Sequence, residues 1–198
     1  MFIKRILLLC FAVLLLSACG DKEKGFKEGT WGMKMEKVIS NEKKVGNELY
    51  TEDTSDDDEI TIEYEDVVVN GYLADVQYIF YNEISKYLMY PGDFSNDEES
   101  IKEFNSLPDD VKFNDFILIE GEYFFRDIDE EDSKEIYESL VAKYGEPGTE
   151  DEDSVLWYTE ATRIYFNKSD YVSYSASIDS VEDFMKLNKK SNGKKNDL

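Results

Sequence analysis

The alternation of apolar and polar positions is clearest in the middle of the chain. From 60 to 69, Ile60, Ile62 and Tyr64 share one face of a strand, with Thr61, Glu63 and Glu65 opposite. Asn70-Gly71 follows, and from 72 to 81 Ala74, Val76, Tyr78 and Phe80 alternate with Asp75, Gln77 and Ile79. Asn-Gly between two β-rich runs predicts a tight hairpin, because both turn residues take positive φ. A period of two predicts an antiparallel sheet buried on one face. Further strands are expected at 84–90, at 116–126 ("FILIEGEYFFR", with a bulge at Gly121), and at 155–159, 162–167 and 171–178.

Helical spacing appears in two clear places. Trp31, Met35, Val38 and Ile39 stand at i, i+4, i+7 and i+8 within "TWGMKMEKVISNE", a stripe best read as core. Ile136, Leu140 and Val141 do the same in "DEEDSKEIYESLVAKYGEP", where Gly145 stops the helix and Pro147 prevents its resuming. Ser95 and Glu98 have capping-box spacing ahead of Ile101 and Phe104, and predict a short helix over the sheet. Asp179 and Glu182 open a last helix with Val181, Phe184 and Met185. The stretch 47–59 ("NELYTEDTSDDDE") reads as an acidic loop. This order of elements predicts an α+β fold, a mainly antiparallel sheet with helices packed on one face. A single domain is expected over 31–188. Two helix-then-strands units of similar length, 31–92 and 115–188 with an insertion between them, suggest duplication.

The N-terminus adds a location. Lys4 and Arg5 precede an apolar run from 6 to 16, shorter than the roughly 20 residues that cross a bilayer core, so it reads as an export leader. Leu16-Ser17-Ala18-Cys19 resembles the bacterial lipobox. That resemblance implies a signal peptide at 1–18, recognition of Leu16, Ser17 and Ala18 by the signal peptidase, and diacylation of Cys19. Two acyl chains give stable anchoring where one does not. Residues 19–30 then read as a flexible tether, and 189–198 ("KKSNGKKNDL") as a disordered basic tail.

Composition removes several chemistries. There is no histidine, and the two cysteines are Cys10, in the leader, and Cys19. Serine–histidine and cysteine–histidine catalysis and histidine zinc sites are excluded, and no cofactor or metal is expected. The formal charge is −23, and removing Lys4 and Arg5 makes the remainder −25. Such acidity repels nucleic acid phosphates and anionic lipid headgroups, and suits a solvated envelope protein or one that docks on a basic partner. Aromatics at 14% mark a folding chain, not a disordered one.

Four candidate chemistries compete with plainer readings. A calcium loop starting at Asp53 has Asp58 where glycine belongs and Tyr64 where a bidentate glutamate belongs, leaving weak calcium association set against a solvated loop. Ser40-x-x-Lys43 and Ser169-Asp170 match parts of the penicillin-recognising pattern, but its third element is missing. Glu120 and Glu122 share a strand face and form the pair that carboxylate-based glycan cleavage would use, set against a solvated sheet face. Tyr78, Tyr81, Tyr123, Tyr158, Tyr165, Tyr171 and Tyr174 lie on strands, where they either form a binding surface, with Tyr78, Tyr123, Tyr165 and Tyr174 as its candidates, or pack beneath helices.

The segments Trp31-Gly32-Met33 with Glu36 and Val38, "VNGYLADVQYIFYN", "GEYFF", "LVAKYGEP" and "LWYTEATRIYF" resemble, in that order, a family of uncharacterised bacterial lipoproteins. More loosely, the Gly-Met helix start and the Gly-x-Pro exit resemble the small outer-membrane-assembly lipoproteins and the β-lactamase-inhibitor-protein fold. These resemblances imply helices on an antiparallel sheet and a non-catalytic binding or scaffolding module in the cell envelope, with no catalytic residue to carry over. A carboxylate hydrolase of cell-wall or surface glycan, and an immunity or inhibitor protein, stand as alternatives.

Overall fold

The computed structural model describes residues 24–56, 59–83 and 112–177. The leader with Cys19, the strand expected at 84–90, the helix expected near 95–104, the helix from 179 and the tail lie outside these residues. A small hairpin comes first, β1 (Gly25–Phe26) and β2 (Gly29–Thr30). Helix α1 (Met35–Lys44) then leads into β3 (Thr51–Asp56), β4 (Glu59–Val69), β5 (Tyr72–Glu83) and β6 (Lys112–Phe125). Helix α2 (Glu130–Tyr144) leads likewise into β7 (Thr149–Glu150), β8 (Ser154–Tyr158), β9 (Thr162–Asn167) and β10 (Tyr171–Ala176). The eight larger-sheet strands are ordered β3-β4-β5-β6-β10-β9-β8-β7, and every pairing is antiparallel. Among the described residues each half is a helix followed by four strands, and the halves meet where β6 pairs with β10.

The strongest local signals form as expected. Asn70 (φ 52°) and Gly71 (φ 95°) make the β4–β5 turn, and Ile62, Tyr64, Ala74, Val76, Tyr78 and Phe80 are all buried on one face. Helix α2 starts at Asp129, whose carboxylate accepts from the Glu131 and Asp132 amides, while the Asp132 side chain accepts from the Asp129 amide. It ends at Gly145 (φ 82°) and buries Ile136 and Leu140. The Trp157 indole donates to the Gly145 carbonyl at 2.9 Å, fixing the helix exit to β8.

Four expectations are corrected. Residues 51–56 of the supposed acidic loop are an edge strand, paired from Thr51↔Glu63 to Asp56↔Glu59. An edge strand bonds on one side only, and acidic side chains there discourage further pairing. Trp31 is not on the first helix; it sits in the preceding turn, 5% exposed, and its Nε1 donates to Thr162 Oγ1 at 2.8 Å. Residues 24–30 of the supposed tether are folded, with Phe26 only 2% exposed. Gly121 is not a bulge: it pairs regularly with Tyr78 and Tyr174, and the bulge falls at Ile119, where Ile79↔Glu120 gives way to Phe80↔Leu118.

Gly121 serves a close approach instead. A Cβ there would lie 2.1 Å from Phe26 Cδ1, so only the bare backbone admits the ring. Around it stand Tyr78, Tyr123 and Tyr174, with ring centroids 5.1, 4.6 and 5.4 Å from that of Phe26. Helix α1 is tied to the same hairpin through Glu42, which is fully buried. Lys27 Nζ bonds both its oxygens at 2.6 and 2.7 Å, and the Tyr78 hydroxyl and Asn47 amide donate to it as well. A buried carboxylate needs such partners, because an unpaired one costs several kcal/mol. Helix α2 reaches this face through Tyr144, whose ring centroid lies 6.4 Å from that of Tyr174.

Phe26→Ala should lower stability by about 3–5 kcal/mol, the usual cost of emptying a phenylalanine site. Gly121→Ala should also destabilise, by overpacking against the ring. In the double variant the added methyl enters the vacated space, so urea unfolding should give a combined loss smaller than the sum. Strict additivity would show that the two residues do not share this contact.

Candidate functional site

Strand register separates the two faces of the sheet. Ile62, Tyr78, Gly121, Tyr174, Ile164 and Trp157 form one row beneath the helices. The next row, on the other face, runs Glu63, Gln77, Glu122, Ser173, Tyr165 and Leu156. The row beyond it runs Thr61, Ile79, Glu120, Ser175, Arg163 and Tyr158. Both described helices pack on the first face, and the second carries the polar and acidic side chains of the central strands.

This second face divides into two zones. Toward one end Ile79, Tyr81, Ile117 and Ser175 are buried. Toward the other an aromatic ladder crosses three strands. Phe124 on β6 meets Tyr171 on β10 at 4.9 Å between ring centroids, and Tyr171 meets Tyr165 on β9 at 6.0 Å. Phe124 is 36% exposed, and Tyr171 and Tyr165 are half-buried.

Glu120 and Glu122 stand between the zones. The Ser173 hydroxyl donates to Glu120 at 3.0 Å, the Tyr171 hydroxyl donates to Glu122, and Gln77 donates to Glu63. Burial beside the apolar zone, together with the Glu122 charge, pushes Glu120 up to about 7, against the hydrogen bond from Ser173 and the positive Arg163. Burial also raises Glu122, with the Tyr171 hydrogen bond opposing and Glu59 reinforcing the shift. The Tyr171 hydroxyl is raised in turn, first by burial and then by the Glu122 charge. The arrangement can hold one proton near neutral pH, and it offers carboxylate acceptors and aromatic ring faces to a cationic group.

The residues singled out from sequence fall in different places. Tyr78, Tyr123 and Tyr174 line the helix-covered face and enclose Phe26, so they form no common exposed surface with Tyr165. Only Tyr165 of the four lies on the second face. Leu16, Ser17, Ala18 and Cys19 are outside the described residues. Ser40 is exposed on α1, and Asp53 lies on the edge strand. Among the described residues no group of histidine, cysteine, aspartate or glutamate side chains is placed to hold a metal ion, and no helix is long and apolar enough to cross a membrane. The ladder partner Phe124 was missed. Its signal was present in the alternation of "EGEYFF", since a residue two places from Glu122 shares its face.

Comparison with protein-family models, with curated proteins and with solved structures finds no match for this chain.

A carboxyl with a folded pKa above its unfolded value holds its proton more tightly in the native state. Its favourable contribution is present below about pH 4.5 and is lost as the pH rises through about 7. Glu120→Gln should therefore be more stable than the parent at pH 8, on the order of 1–2 kcal/mol after allowance for solvent screening. That advantage should vanish at pH 5 in paired denaturation curves. An equal effect at both pH values would exclude Glu120 as the titrating group.

Proposed function

We propose that this is a lipid-anchored cell-envelope protein acting as a non-catalytic binding module, with the second sheet face as its contact surface and a basic protein as partner. The observation that carries the reading is the Phe124–Tyr171–Tyr165 ladder bordered by Glu120, Glu122 and Glu63, on a face that neither described helix covers. Aromatic side chains beside carboxylates suit lysine and arginine, which bury their stems while their charge is met. The lipobox at Leu16–Cys19 supports the anchor, and the overall acidity supports a basic partner. The repeated order of one helix and four strands, closing at β6–β10, supports the reading of two duplicated units. It also agrees with the architecture implied by the resemblance to envelope lipoproteins.

The raised Glu120 favours a second reading, a carboxylate-based glycan hydrolase, because a general acid needs such a pKa. Geometry weighs against it. Glycosidases flank the scissile bond with two carboxyls, whereas Glu120 and Glu122 are next-but-one neighbours on one strand and project from the same face.

A photo-crosslinking residue at Tyr165 should capture a defined partner in intact cells, while the same residue at exposed Ser139 on α2 should not. Equal background at both positions would rule out the second face as the contact surface. Loss of glycan cleavage in Glu120→Gln, were cleavage observed, would replace the binding reading with the hydrolytic one.

A further inference from the structure

The turn and loop after α1 combine exposed apolar side chains with lysines, in a way that neither the core nor the second face uses. Val45 is 54%, Leu49 89% and Tyr50 38% exposed, and Lys43 and Lys44 just before them are exposed too. A single exposed leucine is ordinary, but Val45 and Leu49 stand within five residues of each other behind two lysines, with Glu48 between them and the Tyr50 ring resting on buried Tyr64 at 5.6 Å between centroids. The lysines complement the C-terminal end of the α1 dipole. That accounts for the charge and leaves the apolar side chains unexplained.

Charge along the chain is sharply divided. Residues 20–46 hold seven lysines against five carboxylates, net +2, whereas 47–185 hold eight basic residues against thirty-nine carboxylates, net −31. The basic stretch is the one nearest Cys19. Glu42 brings its parts together in space, because Lys27 of the hairpin turn and Asn47 of the loop both bond that carboxylate. Asn41 on α1 donates to the Glu28 carbonyl, closing the same corner. From Cys19 to Lys24, the first described residue, five peptide units reach at most about 17 Å.

We propose that loop 45–50, with Lys43 and Lys44, is a membrane contact that seats the corner formed by α1 and the hairpin on an anionic bilayer. Val45 and Leu49 enter the interfacial layer, Tyr50 keeps its place on Tyr64 at the edge, and the lysines meet acidic headgroups. The strongly acidic remainder of the domain is repelled from the same surface, which fixes the sense of the tilt. The proposal rests on the lipid-anchor reading for the nearness of a bilayer, although the loop's affinity for lipid can be tested without it.

The test uses the mature chain from Cys19 to Leu198, whose one thiol is coupled to a maleimide lipid in phosphatidylcholine vesicles, with or without phosphatidylglycerol. Amide exchange over 45–50 should slow several-fold on the phosphatidylglycerol vesicles and remain fast on the neutral ones. Leu49→Asp should abolish the slowing while exchange in β4, β5 and β6 stays unchanged, so that unfolding is not the cause. Unaltered exchange over 45–50 on the anionic vesicles overturns the proposal, as does protection appearing on β9 and β10 instead. The mass of the N-terminal peptide from producing cells reports separately on Cys19. A bare cysteine there defeats the anchor reading, while the loop result stands, because the vesicle tether is chemical.

Discussion

Two halves that each carry their own helix meet along β6 and β10, and the ring of Phe26 covers that seam. It lies on the bare backbone of Gly121, between a tyrosine of β5, one of β6 and one of β10. The contact joins strands belonging to both halves, and it is supplied by a segment that precedes either helix. Trp31 extends the same bridge, with its ring buried and its indole donating to Thr162 on β9. The backbone contributes as well: Gly32 donates to the Leu118 carbonyl, and the Leu118 amide donates to Met33, beside the β6 bulge. The N-terminal segment thus works as a structural clasp, and the sheet's continuity at its centre depends on it.

Much of the sheet was legible because its signals are local. Asn70-Gly71 specifies its turn through positive φ, Asp129 and Gly145 delimit α2, and strict alternation places Ile62, Tyr64, Val76 and Tyr78 on the buried face. What escaped was specified by distant contacts or by a negative requirement. The hairpin at 25–30 has a single aromatic residue in a polar stretch, and that residue becomes core only because Gly121, nearly a hundred positions away, lacks a side chain. Strand β3 reads as a loop because an edge strand is protected by the very charges that make it look unstructured. Gly121 itself was legible as special but not as to cause, since a bulge and a close approach leave the same mark in sequence. At the candidate site, alternation put Glu120 and Glu122 together correctly. It could not show that the β5–β6–β10 register sets them beside a buried apolar zone, and that setting is what shifts Glu120.

The two most constrained carboxylates illustrate different ways of placing an acid in a packed protein. Glu42 is fully enclosed and is matched by the ammonium of Lys27 and by two further donors, so its charge is compensated at short range. Glu120 receives a hydroxyl hydrogen bond and stands next to another glutamate, so its cheapest adjustment is to keep its proton to a higher pH. The first arrangement locks geometry. The second leaves a carboxyl whose burial raises its pKa to about 7, on a face that neither described helix covers.

The Phe26 contact and the Glu42 pairing would have a mechanical consequence under the proposed anchoring at Cys19. A linker that is flexible up to Thr30 would let the domain drift and turn freely above its anchor. Phe26, Lys27 and Trp31 are built into the fold, so releasing this segment means withdrawing Phe26 from its tyrosine enclosure and leaving Glu42 buried without its cation. Either step alone costs several kcal/mol, a large share of the stability of an ordinary domain. Folding free energy, and not linker entropy, therefore holds residues 24–31 against the domain. The side on which this segment packs is fixed equally firmly: it is the helix-bearing side of the sheet, opposite the acidic aromatic face.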